Sequence, residues 1–378
     1  MSKLEELIQQ YCPDGVEYVK LGDIEDQGYI KLGRGNVISK QDMKDCPGGF
    51  PVYSSSSVGD GEIGRYGKYM FDDERISWSI DGGGKFFYRN NLRYSITNVS
   101  GWLKVLAPKV VSTKYLYYTL MNEWVKKVYD YTHKAHPSVI REEYIIPIPP
   151  LPVQKEIVRV LDTFTELQAE LQAELQKRLQ QYNYYREEIL THFSPEQNAK
   201  EYKLGDICEL GTGSHNTQDG LKEGSYPFYT RGIDVLYLNS YDFDETAIIT
   251  AGDGAGVGKV FHYVKGKYAL HQRAYRIVPI QSKVLARYLY YYLETEFYAY
   301  IMKSSVSSSV TSIRKPMLLD FPVLLPSLSE QQRIVDILDK FDALTTDLTA
   351  GLPAEIEKRR QQYGFYRDKL LTFNRKEA

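Results

Sequence analysis

The chain has 378 residues, enough for two or three domains of ordinary size, and its 43% hydrophobic content supports packed cores. A net charge of −2 argues against a generic DNA-coating protein, and three cysteines, scattered and odd in number, exclude a disulfide framework and a Cys-x-x-Cys metal pair. The N-terminal MSKLEELIQQYCPDG lacks the apolar core of a signal peptide and no stretch approaches transmembrane length, so a soluble cytoplasmic protein that meets no membrane is expected.

In chain order, an amphipathic N-terminal segment leads into Gly-punctuated β-like runs at Phe50–Ser54 and Arg75–Ile80, a helix-like segment at Thr113–Val128, a polar loop and an Ile/Pro-rich strand. Pro147, Pro149, Pro150 and Pro152 are expected to stop any structure before a long helix from about Val153 to Phe193. In that helix Ile157, Leu161, Phe164, Leu167, Leu171, Leu175, Leu179, Tyr182, Ile189 and Phe193 recur at helical spacing without a Pro or Gly. At about 1.5 Å per residue the rod is roughly 60 Å long, too long for an ordinary globular helix. The pattern then repeats: a β-like run at Ala247–Thr250, a helix-like segment at Lys283–Met302, stops at Pro322 and Pro326, and a second long helix to the C-terminus. Gly351 and Pro353 predict a kink or short break near Leu352. Leucines stepping by four predict two amphipathic rods packed antiparallel with those leucines between them.

The repetition is residue by residue. Lys20-Leu-Gly-Asp-Ile24 recurs as Lys203-Leu-Gly-Asp-Ile207, Pro51-Val-Tyr53 as Pro227-Phe-Tyr229, and Gly82, Gly84, Lys85 and Phe87 as Gly256, Gly258, Lys259 and Phe261. Lys114-Tyr-Leu-Tyr-Tyr118 recurs as Arg287-Tyr-Leu-Tyr-Tyr291, Ile140-Arg141 as Ile313-Arg314, Gln154 as Gln331 and Asp162 as Asp339. The order is head, long helix, head, long helix. Residues 15–150 carry a net +2 and residues 151–198 a net −3, so the heads are slightly basic and the first helix acidic.

Catalytic motifs are absent. In Ala251-Gly-Asp-Gly-Ala-Gly-Val-Gly-Lys259 the glycine a P-loop needs falls on Asp253, and Val260 stands where Ser or Thr should follow the lysine. A glycine-rich turn between strands is expected there, and at Asp81-Gly-Gly-Gly-Lys85. The six histidines form no metal-spaced set, and His133-x-x-His136 has no acidic or Cys neighbour in sequence. There is no Gly-x-Ser-x-Gly elbow and no Asn/Asp-Pro-Pro-aromatic motif. The architecture itself is more informative: two diverged heads held apart by rods of fixed length suit a duplex with two unlike half-sites at a fixed spacing.

The Cys12-Pro-Asp-Gly-Val-Glu-Tyr18 opening, the Lys-Leu-Gly-Asp repeats, the Ile148-Pro-Pro-Leu-Pro-Val-Gln154 lead into a long helix and the Gln-Tyr-x-x-Tyr-Arg helix ends resemble the specificity subunit of type I restriction–modification systems over essentially the whole chain. The resemblance implies an α+β chain of two globular target recognition domains joined by two long antiparallel helices as a coiled coil, a pseudo-two-fold internal repeat. It places recognition domains at 1–152 and 199–328 and spacers at 153–198 and 329–378. It implies a non-catalytic subunit that binds double-stranded DNA and two methyltransferase subunits, with restriction subunits when present. S-adenosylmethionine, Mg and ATP would then belong to the partners and none to this chain. The repeated Glu-Leu-Gln-Ala of Glu166–Leu175 resembles the four-residue repeats whose number sets the gap between half-sites in some family members.

Candidate DNA contacts are polar side chains on Gly-flanked loops. In head one these are Arg34, Ser54, Ser55, Ser56, Ser57, Arg65, Tyr66, Lys68, Trp78, Ser79, Lys85, Arg89, His133, Lys134 and His136. In head two they are His215, Asn216, Thr217, Thr230, Arg231, Asp253, Lys259, His271, Gln272, Arg273, Ser307 and Arg314. Arg suits guanine, Asn and Gln suit adenine, and Lys and Ser suit phosphates. For Arg141 and Arg314, repeated just before the exit strand, a structural ion pair is at least as good a reading. A scaffold whose paired heads bind other proteins is the competing interpretation of the near-neutral charge.

Overall fold

A computed structural model of the chain describes residues 2–55, 59–90, 93–130, 132–303, 312–347 and 349–376. It divides into two compact units, residues 1–170 with 356–378, and residues 171–355. The divisions expected from sequence fall at 152, 198 and 328 instead, because each unit takes the adjoining part of a long helix into its own core.

In the first unit a helix at Lys3–Tyr11 starts on a Ser2–Glu5 capping box. The strands are β1 (Tyr18–Lys20), β2 (Ile30–Arg34), β3 (Phe50–Tyr53), β4 (Glu62–Tyr66), β5 (Arg75–Ser79), β6 (Phe86–Arg89), β7 (Ser95–Ile96), β8 (Ser100–Val105) and β9 (Ile145–Pro147). They form a four-stranded sheet β2-β8-β5-β6, a three-stranded sheet β4-β3-β7 and the pair β1-β9. Every pairing is antiparallel except β3 with β7. A helix at Thr113–Trp124 packs on the larger sheet, and the core beneath it holds Trp78, Phe86, Leu116 and Tyr144.

The second unit repeats this order with β10 (Lys200–Lys203), β11 (Cys208–Thr212), β12 (Tyr226–Tyr229), β13 (Leu236–Leu238), β14 (Phe243–Ala251), β15 (Phe261–Leu270), β16 (Ala274–Pro279) and β17 (Pro322–Leu325). Here β15 runs unbroken over the positions that β6 and β7 occupy separately, so the two sheets merge into one of order β11-β16-β14-β15-β12-β13. The single parallel pairing, β12 with β15, is kept. The helix at Ala286–Lys303 covers the sheet through Tyr288, Leu289, Leu293 and Phe297.

The long helix runs Leu151–Thr191 without a break, 41 residues. Pro152 was expected to end the preceding structure, but it lies in the first turn, where the N–H it lacks would have had no intrahelical partner. Pro353 holds the same place in the C-terminal helix, Leu352–Leu370. The second long stretch is thus two helices, Leu328–Thr346 and Leu352–Leu370, and the expected break is present. Asp347 makes the turn: its carboxylate accepts the Thr349 and Ala350 N–H groups at 2.7 and 3.2 Å, and its carbonyl accepts that of Gly351 at 3.0 Å. A Cβ on Gly351 would lie 2.6 Å from the Ala343 carbonyl oxygen.

Within each unit the helices meet antiparallel through aromatic rings, Phe164 on Tyr363 and Tyr366 in the first, Tyr182 and Tyr185 on Phe341 in the second. The leucine stripe is covered only in part. No residue of the long helix between Leu161 and Tyr182 is buried, and Leu167 is 42% exposed. Leu171, Leu175 and Leu179 are half-buried, and the buried apolar positions lie toward the helix ends at Val153, Ile157, Leu161, Tyr182 and Leu190.

Residues that recur between the halves build the same joints twice. Gln154 is fully buried: its Oε1 accepts the Ser112 N–H at 2.9 Å, and its Nε2 donates to the carbonyls of Val110 at 2.9 Å and Pro149 at 2.7 Å. Gln331 accepts the Leu285 N–H at 2.9 Å and donates to Lys283 and Pro326. Asp162 receives Lys114 and the Tyr118 hydroxyl at 2.7 and 2.6 Å, and Asp339 receives Arg287 and the Tyr291 hydroxyl at 2.8 and 2.6 Å. The glutamine of the Pro-rich lead and the Tyr-Leu-Tyr-Tyr repeat therefore fasten each head to its own helix. Among the described residues no helix is long and apolar enough to cross a membrane.

Candidate nucleic-acid interface

In head two the sequence candidates converge. A shallow depression of about 500 Å³ is lined by Asn216, Thr217, Gln218, Arg231, His271, Gln272 and Arg273. Beside it a second, of about 520 Å³, is lined by Arg231, Asp253, Lys259 and the glycines at 254 and 256. Three pieces of backbone position these side chains. The parallel β12–β15 pairing brings Thr230 and Arg231, just past one strand end, next to His271 and Gln272, just past the other. A bridge from His215 to His271 adds the loop after β11. The β14–β15 turn supplies Asp253 and Lys259, with Gly254 and Gly258 at φ of 84° and 69°, a conformation other residues rarely adopt. The glycines make a turn between strands, as expected, and not a phosphate loop.

Asp253 accepts Arg231 at 2.7 Å and Arg273 at 3.0 Å. Burial alone would raise its carboxyl, but the two guanidinium groups outweigh that and hold it below the usual carboxylate range. Burial, aided by Arg231, pushes His271 below the ordinary histidine value. Its Nδ1 accepts the Arg273 N–H at 3.0 Å, so the neutral ring carries its proton on Nε2. Gln272 donates to the Asn216 side-chain oxygen, and Asn216 opens the turn over Thr217–Asp219. His215 lies 3.1 Å from Asp242 and 3.9 Å from Asp219. Lys259 is exposed beside the Tyr298 ring. Arg314 is exposed at the start of the helix Lys315–Leu319, just past Ser312 and Ile313, whose backbone pairs with Asp253 and Gly252, and Ser307 lies outside the described residues.

Head one scatters its candidates. Trp78 and Ser79 are buried in β5, where Trp78 donates to the Ala135 carbonyl at 2.7 Å and Ser79 to that of Ser55 at 2.8 Å. Arg89 is buried over the Tyr53 ring and donates to Ser77 and to the Asp60 carbonyl. These three side chains hold the frame and offer nothing to a ligand, because their polar groups are satisfied inside. Arg34 donates to the Asn98 carbonyl, and Ser54 shares a 2.8 Å hydrogen bond with Thr97. Arg65 pairs with Glu62 and the Gly49 carbonyl, Tyr66 is half-buried, and Lys68 is exposed. Lys85 is half-buried against Phe87. Ser56 and Ser57 lie outside the described residues.

Lys134 pairs with Asp81 at 3.0 Å, and His136 opens the helix Pro137–Glu143. The expectation that His133 lacks an acidic partner is corrected: Asp130, three residues earlier, accepts its N–H at 2.8 Å, and the fold brings Glu143 to 2.8 Å of its ring and stacks the ring on Tyr129. Arg141 is structural, held by Glu25 at 2.6 Å and Asp26 at 2.9 Å. Sequence reasoning passed over Thr97 and Asn98, which occupy the head-one places of His271 and Gln272. The 174-residue offset relating Phe87 to Phe261 also relates these pairs, so the signal was present.

The sequence signature of the type I restriction modification DNA specificity domain matches residues 13–181 and again 196–358. The specificity subunit of a type I restriction enzyme of Escherichia coli is 34% identical over 295 residues, covering 70% of this chain and 72% of that one. A protein of Mycoplasma pneumoniae described as a type I specificity subunit is 31% identical over 338 residues, covering 82% of this chain and 97% of the relative. The crystal structure of the S subunit of a type I system from M. genitalium aligns over 94% of this chain and 96% of that one, with a TM-score of 0.58 at 17% identity. A structure reported for the assembly and conformational transition of a type I system gives 0.60 at 15% identity, over 94% and 97% of the two chains. At such identities these two structures speak for the fold. A frame built twice in one chain, matched twice by one domain signature and along most of its length by specificity subunits, makes this chain a member of the type I restriction–modification DNA specificity family.

Proposed function

We propose that this chain is the sequence-specific DNA-recognition subunit of a type I restriction–modification complex, non-catalytic itself, reading one half of an asymmetric bipartite site with each head. The observation that carries this reading is the double frame with unlike side chains. The joints recur almost residue for residue, while the loop ends beside β3 and β7 carry the hydroxyls of Ser54, Ser55 and Thr97 and those beside β12 and β15 carry Arg231, His271 and Arg273. One frame bearing two chemistries suits two unlike half-sites.

In this reading residues 1–152 and 199–328 are the recognition domains, and 153–198 with 329–378 are the spacers that fix the gap. The proposed partners are two methyltransferase subunits, one for each repeat, and restriction subunits when present. The methyltransferases would bring S-adenosylmethionine and turn the target adenine out of the stack, and Mg and ATP would be held by partners as well. Loop candidates retained for DNA contact are Arg34, Ser54, Ser55, Arg65, Lys68, Lys85 and Lys134 in head one and the Asp253-centred group with Lys259 in head two.

Adenine methylation mapped across the genome of a host expressing this chain with its methyltransferase, against a host lacking the chain, tests the reading. A single chain-dependent motif with two unlike halves and a constant gap is expected. Methyltransferase that is folded and present but leaves no such motif would turn the interpretation to a protein-binding scaffold.

A further inference from the structure

The two heads share one locus that they fill differently. The Thr97 N–H donates to the Tyr53 carbonyl at 2.9 Å, as His271 does to Tyr229 at 3.0 Å. Asn36 bridges Thr97 as His215 bridges His271. A Cβ on Gly82 would lie 1.8 Å from the Ser55 carbonyl oxygen, and one on Gly256 would lie 2.3 Å from that of Arg231. Ser54, Ser55, Thr97 and Val99 therefore correspond to Thr230, Arg231, His271 and Arg273; Ile80 and Gly252 donate alike to Val99 and Arg273, which sets Asp81, paired with Lys134, at the place of Asp253. In head one, short hydroxyl side chains close the locus on themselves. In head two it holds a carboxylate forked between two guanidinium groups.

That fork is poorly placed for stability. The Arg273 side chain is 63% exposed and that of Arg231 38%, and ion pairs so open to water contribute little to folding. What the fork does is aim. Each arginine gives Asp253 one Nη1 hydrogen and, among the described residues, keeps its Nε and Nη2 edge, two parallel donors in fixed geometry. A phosphate on that edge would sit close to the Asp253 carboxylate and be repelled, whereas a neutral base edge would not. Of the base edges in the major groove, guanine alone offers two adjacent acceptors, O6 and N7.

We propose that Arg273 reads a guanine in the half-site of head two, with Asp253 as its positioning residue. This rests on the recognition function proposed above. The test is binding of the complex of this chain with its methyltransferase to duplexes carrying the mapped site, in which each guanine of the second half is replaced in turn. Wild type is expected to lose about tenfold to a hundredfold on one such replacement. Arg273→Lys, which keeps the charge and loses the fork, should bind the native and replaced sites alike, with first-half discrimination intact. Asp253→Asn, of the same size, should weaken the same discrimination and covers the case in which Arg273→Lys misfolds. The proposal is overturned if Arg273→Lys discriminates as wild type does, or if it weakens every sequence equally, the mark of a phosphate contact. A second half-site without guanine overturns it too. Wild-type complex that discriminates no sequence at all would instead remove the recognition function beneath it.

Discussion

Gln154 and Gln331 show how much one buried amide can decide. Each ties a head to the start of its helix through backbone groups that have no water to turn to. Gln154→Leu fills the space but strands the Ser112 N–H and two carbonyls, at a cost on the order of 3 kcal/mol. Hydrogen exchange should show lost protection through the first unit and native protection over residues 243–279. Gln331→Leu should give the converse, and unchanged exchange in both would refute the joint. Two histidines of head two set a pH dependence. Burial lowers His262 and His271 below the ordinary value of 6.5, so the unfolded chain takes up protons first as the pH falls through it. The stability this contributes to the second unit is complete above that value and is lost as the pH falls toward the lowered ones. Urea unfolding at pH 7.5 and 5.5, followed by exchange over 243–279, should show the lower midpoint at pH 5.5, and His262→Gln should narrow the difference. The repeat marked Gln154 and Gln331 in the sequence but left their role open, since a matched glutamine reads equally well as a docking residue. The roles of Trp78, Ser79 and Arg89 were illegible for a different reason: a β-like run does not say which of its faces is covered, and only the pairing of β5 with β6 and β8 turns these side chains inward.

Among the elements, the long helix was the clearest from sequence, because an uninterrupted apolar period has few other solutions. Its burial was not. Leucine spacing marks one face but does not say whether anything covers it, and between Leu161 and Tyr182 nothing buries it fully. That middle is consequently free to change length. Deleting Glu166–Ala169 removes a little over one turn, about 6 Å of rise, and no buried residue. Both units should fold with unchanged thermal midpoints, and the methylated motif should keep both half-sequences and change only its gap. An altered half-sequence would mean that the helix does more than separate. The break in the second stretch is the stiffer element: Gly351→Val puts a branched side chain against three carbonyls and should destabilise the second unit by about 2–4 kcal/mol, measurable by denaturant unfolding.

At the scale of the molecule, the first unit is assembled from both ends of the chain. The Val16 N–H donates to the Asn374 carbonyl at 2.8 Å, the Lys376 N–H donates to that of Val16 at 3.1 Å, and the Tyr18 hydroxyl bonds to both backbone groups of Phe373. Removing residues 373–378 should raise exchange over residues 3–26 and leave 208–279 unaffected. The architecture of head, helix, head, helix was readable because the sequence says it twice, whereas this closure was not, since the second half makes the same join without interrupting the backbone. There the helix ending at Thr191 runs on through a single turn at Pro195–Gln197 to Asn198, whose left-handed φ of 48° matches the φ of 92° at Gly15. Contacts alone do not tell which of the two joins is the covalent one. A circular permutant with its present ends linked and new ones cut between Ser194 and Asn198 should fold with an unchanged thermal midpoint and recognise the same DNA, and one that fails to fold would show that the two joins are not equivalent.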